Sequence, residues 1–255
     1  MFIKRLKIYL AGTKDVWKDE NYISAASKRR PNILESFYAI RKNESWYQTH
    51  KQFFNDFLLD SGAFTFMQGT DKQSNWVEYA KSYANYIKSN GITKYFELDI
   101  DSIVGLSKVE DLRKLIEDIT GIPSIPVWHK SRGLDYWYKM TENYGYISIG
   151  GIVSGEIKRS QYKAFHKLLS IAHSKGTKVH GLGFTNIKGM KEYRFDSVDS
   201  ITWLNGRFGI IYQFNGETLK YLSKGGDRLP LNKSKVDLHN FTEWTKLSNH
   251  LEAHF

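Results

Sequence analysis

The sequence alternates short apolar or β-branched runs with longer stretches whose apolar residues recur at helical spacing. Runs that predict strands lie at residues 6–12, 54–64, 94–101, 123–130, 146–151, 177–184 and 197–203. The stretches that predict helices lie at residues 74–91, 108–121, 134–145, 160–176 and, as a shorter candidate, 186–195. This alternation is typical of parallel strands that are joined by crossover helices.

The number of these units favours a closed barrel. About seven units are visible, and residues 208–214 supply a candidate eighth strand. We therefore predict a (β/α)8 TIM barrel, with a doubly wound open sheet as the alternative. Residues 13–50 and the tail from residue 215 fit no unit, so we expect an N-terminal insertion and a C-terminal extension. Without a long linker, residues 1–255 are predicted to form a single domain.

The composition favours a nucleic acid as a partner but does not require one. The chain has 37 Lys and Arg against 27 Asp and Glu, a net charge of +10, and 15% aromatic residues. Basic surfaces attract DNA or RNA and aromatic rings stack on bases, but a basic enzyme without such a partner has the same composition. The chain has no cysteine, which excludes disulfides, thiol catalysis and cysteine-ligated zinc. No segment approaches the roughly 20 apolar residues of a membrane span, so a cytoplasmic protein is expected.

Polar and glycine residues follow the predicted strands at their carboxyl ends, where βα barrels carry their active sites. They are Asp60, Asp99, Asp101, His129, Gly150, Gly151, His180, Gly181 and Asp199. Side chains at positions i and i+2 of a strand share a face, so Asp99 and Asp101 can point into one mouth. Such a mouth suits a planar heterocycle. It also suits sugar chemistry, in which one carboxylate attacks the anomeric carbon and another moves a proton.

Several of these residues also have a purely structural interpretation. Core packing, a tight turn or a helix cap would account for Asp101, His129, His180, Gly150 and Gly151. Asp196, three residues before Asp199, is expected to cap a turn rather than to react. The two histidines of "HLEAH" at 250–254 are interpreted as part of an exposed helix end and not as a metal site.

Four segments resemble motifs of the tRNA-guanine transglycosylases. "LLDSGAF" at 58–64 is similar to their Asp-Ser-Gly-Gly-Phe motif, and "ISIGGIVSGE" at 147–156 is similar to their Gly-Gly-Leu-x-x-Gly-Glu segment. "VHGLGF" at 179–184 resembles their apolar-Gly-x-Gly strand, and "FDSVDSITW" at 195–203 resembles their Asp-x-x-Asp motif ahead of a small residue. The four motifs occur in the family's order. The resemblance implies a (β/α)8 barrel that exchanges guanine for a 7-deazaguanine through a covalent ribosyl-aspartate.

The chain departs from the tRNA enzymes in three respects. It lacks the cysteines of their structural zinc site, it is much shorter, and "PVWH" at 126–129 stands where they have a glutamine motif. These departures resemble the DpdA branch, whose phage and bacterial members place 7-deazaguanine bases into DNA. The compact size resembles the phage-encoded kind, for which the compartment would be the host cytoplasm. We therefore predict a barrel without the zinc subdomain that replaces guanine in DNA by a 7-deazaguanine of the preQ0 type.

Three other functions remain as alternatives. The same exchange on tRNA differs only in the polymer. A hydrolase that releases the base would use the same carboxylates. A catalytically inactive, nucleic-acid-binding barrel would keep the fold without the reaction.

The resemblance implies roles for single residues. Asp199 aligns with the nucleophile, Asp60 with the general acid and base, and Asp99 with the aspartate that binds the amidine edge of guanine. Further contacts with the base are expected from Ser61, Phe64, Asp101, His129, Gly150, Gly151 and His180, and Glu156 completes its motif. No nucleotide cofactor is expected, because the covalent intermediate retains the energy of the glycosidic bond. No metal is expected either.

The expected partners are DNA and a free 7-deazaguanine base. The target guanosine has to be flipped out of a duplex or presented in single-stranded DNA. Phosphate contacts near the mouth are predicted for basic residues, although a solvated charge accounts for each of them alone. They are Arg29 and Arg30 of "KRR" at 28–30, Lys188, Lys191, Arg194, Arg207, Lys224 and Arg228.

Overall fold

The computed structural model describes residues 5–62, 75–224 and 232–254. Within these residues, seven parallel strands form one curled sheet. They are β1 Lys7–Ala11, β2 Asn32–Ser36, β3 Asp56–Asp60, β4 Val127–Trp128, β5 Tyr146–Ile149, β6 Lys178–Gly181 and β7 Ser197–Ser200. The strands lie side by side in the order β3-β2-β1-β7-β6-β5-β4.

The segment at residues 94–98 closes the ring between β3 and β4. Tyr95 pairs in parallel with Leu59 of β3, and Phe96 pairs in parallel with Ile125, just ahead of β4. The backbone N–H of Phe96 donates to the carbonyl of Leu59 at 3.0 Å. With this eighth segment the protein is a (β/α)8 TIM barrel, and the predicted fold class is confirmed.

Helices connect the strands on the outside of the barrel. They are α1 Glu20–Arg29, α2 Phe37–Ile40, α3 Trp46–His50, α4 Trp76–Asn90, α5 Asp101–Val104, α6 Leu106–Thr120, α7 Gly133–Asn143, α8 Ala164–Ser174, α9 Ile187–Tyr193 and α10 Lys233–His254. Helices α4, α6, α7, α8 and α9 lie where periodicity predicts them, whereas α1 and α10 lie in regions for which no helix was predicted. In α4, the side chain of Asn75 accepts the backbone N–H of Glu78 as an N-cap, and Gly91 ends the helix with a φ of 64°. None of the helices in the described ranges is long and apolar enough to cross a membrane.

The second barrel strand is β2, which lies inside the predicted insertion at residues 13–50. That prediction is wrong, because this region supplies both α1 and a strand that pairs with β1 and β3. The predicted eighth strand at residues 208–214 is wrong as well. It forms β8 Ile210–Phe214, which pairs antiparallel with β9 Leu219–Lys224 in a separate two-stranded sheet. The predicted C-terminal extension contains β9 and α10.

The apolar core has an inner and an outer part. The inner part fills the barrel and consists of Tyr9, Ala11, Leu34, Leu58, Phe96, Ile125 and Val127. The outer part lies between strands and helices and includes the fully buried Trp137, Trp203 and Trp244. Successive strand residues alternate between the two parts, as Leu58 and Leu59 of β3 show. This alternation leaves the carboxyl ends of the strands to carry the polar side chains.

Candidate active site

A cavity of about 200 Å³ lies at the carboxyl ends of the barrel strands. It is lined by Leu34, Asp60, Asp99, Val127, His129, Gly150, Gly151, Val153, Ser154, Leu182, Gly183 and Asp199. Sites for drug-sized ligands occupy ~300–1,000 Å³, so this one suits a single small planar molecule. Larger grooves of about 590 and 410 Å³ lie elsewhere on the surface, lined mainly by residues of the helices. Only the cavity at the mouth, among these three, joins Asp60 to Asp199.

Asp199 is the third residue of β7, and two donors hold one of its oxygens. The backbone N–H of Gly183 donates to Oδ1 at 2.6 Å, and Nε2 of His180 lies 3.1 Å from the same atom. Within the described part of the chain, no hydrogen bond reaches Oδ2. A carboxylate with one anchored oxygen and one unbonded oxygen at a cavity is well arranged for nucleophilic attack.

Asp60 ends β3, and its Oδ2 accepts the backbone N–H of Gly62 at 2.9 Å. Burial is the main cause that raises the pKa of Asp60 to about 6. The negative charges of Asp199 and Asp99 add to the rise, and the hydrogen bond from Gly62 opposes it. Gly62 has a φ of 81°, and a Cβ there would lie 2.4 Å from Cβ of Tyr38, so the turn requires glycine. A carboxyl group with a pKa near neutrality can both donate and accept a proton.

His129 follows β4 and lies between two carboxylates. Its Nε2 is 2.8 Å from Oδ1 of Asp99, and its Nδ1 is 2.8 Å from Oε2 of Glu156. Burial opposes the charged ring, but the hydrogen bonds and charges of these carboxylates outweigh it and raise the pKa of His129 to about 9. Because both ring nitrogens face carboxylate oxygens, the ring is an imidazolium that donates at both ends.

Gly150 and Gly151 make room for this ion pair. A Cβ on Gly150 would lie 2.8 Å from Nε2 of His129, and a Cβ on Gly151 would lie 2.6 Å from Oε2 of Glu156. Gly151 also has a φ of 75°. Both glycines line the cavity, so they provide a wall of bare backbone as well as space for His129 and Glu156.

Arg132 links the cavity to a buried network of ion pairs. Its side chain is only 1% exposed, and it donates to Asp101 from Nε and to Glu97 from Nη1, both at 2.8 Å. In the part of the chain that the structure describes, Asp99, Asp101 and His129 have ligand atoms within 4.8 Å of one another, as a metal site would. Since His129 and Arg132 already neutralise these carboxylates, the geometry favours an ion-pair network over a bound cation.

The remaining residues predicted to contact the base differ in their position. Ser61 is fully buried beside Asp60, and its Oγ has no hydrogen-bond partner among the described residues. Asp101 pairs with Arg132 and does not line the cavity. His180 is fully buried below Asp199 and does not line the cavity either. Phe64 lies outside the described residues.

The basic residues predicted for phosphate binding fall at both ends of the barrel. Lys188 comes after β6 and Arg207 after β7, so both lie at the mouth, and both are exposed. Arg29 and Arg30 end α1 ahead of β2, and Arg194 precedes β7. The prediction that these three lie near the mouth is wrong, because a connecting helix ends at the amino ends of the strands, across the barrel from the cavity.

Three further members of that set have other positions. Lys191 lies within α9, where its Nζ donates to the carbonyl of Glu217 at 3.1 Å. Lys224 ends β9 on the separate hairpin. Arg228 lies outside the described residues.

Two residues of the site were not singled out from the sequence. Arg132 follows His129 in "HKSRG", and an arginine so close after a strand-ending histidine was the available signal. Gly183 is the second glycine of "HGLGF". It acts through its backbone N–H, so no side chain in the sequence indicates its role. Both act on carboxylates that the strand-end pattern had already identified.

Comparison with known proteins shows the fold alone. A scan against protein-family models and a search of curated proteins gave no match. Among solved structures, the chain is similar to QR15, an aldolase, with 12% identity over 79% of this chain and 93% of that one, at a TM-score of 0.50. It is similar to a putative fructose-1,6-biphosphate aldolase from Coccidioides immitis, with 10% identity over 97% and 88% of the two chains and a TM-score of 0.54.

A third similar structure is the carboxyl transferase domain of Rhizobium etli pyruvate carboxylase with pyruvate. Identity is 13% over 98% of this chain and 49% of that one, with a TM-score of 0.52, so this chain spans about half of it. At these identities, the likeness establishes a shared barrel architecture and leaves the substrate to be argued from the site.

Proposed function

We propose that this protein is a transglycosylase that replaces guanine in DNA by a 7-deazaguanine base. The observation that carries the proposal is that Asp60 and Asp199 open into one small cavity at the mouth of the barrel. One carboxylate has an unbonded oxygen, and the other has a raised pKa. Exchange at an anomeric carbon requires a nucleophile and an acid of this kind. Both residues lie in the segments that resemble the tRNA-guanine transglycosylases.

The first step forms a covalent intermediate. Oδ2 of Asp199 attacks C1′ of the deoxyribose, and the bond from C1′ to N9 of guanine breaks. The electron pair of that bond stays on guanine, which takes the proton of Asp60. With a pKa of about 6, a useful fraction of Asp60 carries that proton near neutral pH.

The second step reverses these transfers with a new base. The carboxylate of Asp60 takes the proton from the ring nitrogen of the incoming 7-deazaguanine, and that nitrogen bonds to C1′ as the ester bond to Asp199 breaks. Two inversions retain the configuration, and both carboxyl groups return to their starting states. The apolar side chains of Leu34, Val127 and Leu182 in the wall limit the space for water, which would otherwise hydrolyse the intermediate.

The opposite wall of the cavity supports binding of the base. Both oxygens of Asp99 lie within 2.9 Å of Nε2 of His129, yet a carboxylate has further lone pairs for the N–H groups of a guanine edge. The imidazolium of His129 supplies positive charge beside the base, and negative charge develops on the base as it leaves. Gly150 and Gly151 allow a flat ring to approach the backbone.

The rim of the mouth carries exposed basic side chains that suit a phosphate backbone. They lie on the segments that follow the carboxyl ends of the strands and are Lys14, Lys42, Lys130, Lys158, Arg159, Lys188 and Arg207. Contacts of this kind position a nucleic acid without reading its sequence. A guanine in a duplex would have to leave the stack to reach the cavity, which requires a few kcal/mol.

The test is base exchange with labelled guanine and three polymers: single-stranded DNA, duplex DNA and tRNA. We expect the label to enter DNA and to be displaced when an unlabelled 7-deazaguanine is added. Label in tRNA alone would move the activity to RNA. Guanine release without incorporation would indicate a hydrolase, and no reaction with any polymer would refute the proposal. Asp199→Asn is the matched inactive control.

A further inference from the structure

A line of hydrogen bonds leads from the cavity into the interior of the barrel. His180 lies below Asp199, with Nε2 3.1 Å from Oδ1 of Asp199 and Nδ1 2.6 Å from Oγ of Ser197. Oγ of Ser197 lies 2.5 Å from the hydroxyl of Tyr146. His180 is fully buried, so water does not reach its ring. The four side chains belong to β5, β6 and β7 and form one polar line beside the apolar side chains of the inner core.

The donors along this line have one arrangement that gives every hydroxyl proton an acceptor. Among the described residues, Oγ of Ser197 is the only hydrogen-bond partner of the Tyr146 hydroxyl, so this buried hydroxyl donates to it. The Ser197 hydroxyl then donates to Nδ1 of His180, which accepts. The single ring proton is therefore on Nε2, where it points to Asp199.

Packing fixes the plane of the ring as well as its proton. The ring of Phe96 lies 5.1 Å from that of His180, and the ring of Tyr9 lies 6.1 Å away at an interplanar angle of 61°. The carbonyl of His180 also accepts the hydroxyl of Ser148 at 3.1 Å. The ring therefore has a defined orientation below the carboxylate.

We propose that His180 is a positioning residue for Asp199, held in the Nε2–H tautomer by Ser197 and Tyr146. His180 and Gly183 both donate to Oδ1, which fixes the carboxylate and leaves Oδ2 as the oxygen that meets the substrate. The kinetic consequence rests on the proposed function, whereas the tautomer and the fixed carboxylate do not depend on the substrate.

The kinetic test compares His180→Gln with His180→Asn. The amide of glutamine reaches the position of Nε2 and keeps a donor for Asp199. The amide of asparagine reaches only the position of Nδ1 and keeps the contact with Ser197. We expect His180→Asn to slow single-turnover formation of the covalent intermediate about 100-fold, with KM for the oligonucleotide unchanged, because a misplaced reacting group has an effect of that size. We expect His180→Gln to stay within about tenfold of the wild type.

Equal losses in the two variants, or losses that follow their melting temperatures, would assign His180 to the structure alone and overturn the inference. Ser197→Ala provides a variant that touches neither Asp199 nor the substrate. It removes the hydroxyl that keeps Nδ1 unprotonated, so the ring proton can move to Nδ1 and leave a lone pair facing the carboxylate, and we expect about a tenfold slower single turnover. An unchanged rate in Ser197→Ala would contradict the role of the hydrogen-bonded line.

Nitrogen-15 NMR of the wild-type protein reads the tautomer without any activity measurement. The signals of His180 are assigned by their loss in His180→Gln, and we expect a protonated Nε2 and an unprotonated Nδ1. Protonation at Nδ1, or at both nitrogens, would overturn the inference and leave the proposed function in place. An Nε2–H ring in a protein that exchanges no base would support the assigned tautomer and refute the proposed function.

Discussion

The carboxylates on the two walls of the cavity lie in opposite electrostatic environments. On one wall, Asp60 and Asp199 receive hydrogen bonds from backbone N–H groups, and no arginine or lysine pairs with either of them within the described residues. On the other wall, the imidazolium of His129 binds Asp99 and Glu156. The first wall has groups whose protonation or bonding can change at neutral pH, and the second has charges that hold each other in place. In the proposed function, reaction and binding are thus divided between separate walls.

Removal of the nucleophile should give the largest effect. We expect Asp199→Asn to lower the yield of a covalent adduct with a single-stranded oligonucleotide by at least ~10³-fold, because an amide does not replace a carboxylate nucleophile. Intact-protein mass measured after an acid quench detects the adduct. Asp196→Asn is the matched control, since Asp196 lies at the amino end of β7 beside His173 and should keep its activity. An adduct in Asp199→Asn would place the nucleophile elsewhere.

On the second wall, the ion pairs of His129 should make the free energy of unfolding depend on pH. The pKa of His129 rises from 6.5 to about 9 on folding. The folded state therefore binds the proton more tightly, and this stabilisation is complete below pH 6.5 and is lost as the pH rises through 9. We expect this group to contribute about 3 kcal/mol to the free energy of unfolding, present at pH 6.5 and absent above pH 9.

Urea unfolding at a series of pH values measures this contribution. The fall between pH 6.5 and 9 should disappear in His129→Gln. A wild-type protein whose stability stays constant over that interval would show that His129 is neutral, and the proposed contrast between the walls would be lost.

The first wall should also lose stability as the pH rises, but over a lower pH interval and because folding disfavours the ionised form of its carboxyl group. Asp60 ionises at pH 3.8 when unfolded and at about 6 when folded, so the wild type loses stability as the pH rises from 3.8 to 6 and stays lower above it. We expect Asp60→Asn to be more stable than the wild type by about 3 kcal/mol above pH 6 and equal to it below pH 3.8. Chemical unfolding of both proteins at pH 3.5 and pH 7.5 measures the difference.

Asp56 at the other end of β3 provides the matched control. Burial raises its pKa, but hydrogen bonds from Lys7 and Lys94 outweigh burial and lower it. Asp56→Asn should therefore destabilise the protein at pH 7.5. Destabilisation by Asp60→Asn as well would remove the distinction between a paired carboxylate and an unpaired one.

The smallest expected effect concerns the rim. Lys188 lies at the mouth, and Arg194 lies at the opposite end of the barrel. We expect Lys188→Glu to weaken binding of single-stranded DNA about fivefold and to reduce the salt dependence of the affinity, whereas Arg194→Glu should change neither. Fluorescence anisotropy at several salt concentrations compares them. Equal losses would show that nucleic acid binding does not distinguish the two ends.

The barrel could be predicted because most of its strands are locally apolar and bounded by turn residues. The strand β2 escaped prediction since two of its five residues are Asn32 and Glu35, both buried. Asn32 donates to Glu252, more than two hundred residues away in the chain, and Glu35 accepts the hydroxyl of Thr13. Partners that satisfy a buried polar strand residue from so far away leave no local signal.

The same limit applies to the site. Asp60, Asp99, His129 and Asp199 could be predicted to converge, because the end of a strand is a local feature and parallel strands end at one rim. The burial of His180 could not be predicted in this way. Two positions along β6 separate an inward side chain at the cavity from one in the layer below it, and register is set by pairing with the neighbouring strands.

The closure of the ring has a consequence for the range of bases that the proposed exchange would allow. Residues 94–98 join their neighbours through single bridges at Tyr95 and Phe96, whereas β7 is paired along its length with β1 and also with β6. Asp99 therefore lies beside a weakly paired junction of the barrel, and Asp199 lies on a strand that is paired on both sides. For the proposed exchange, adaptation to ring substituents of different size falls to this junction, while the position of the attacking oxygen stays constant.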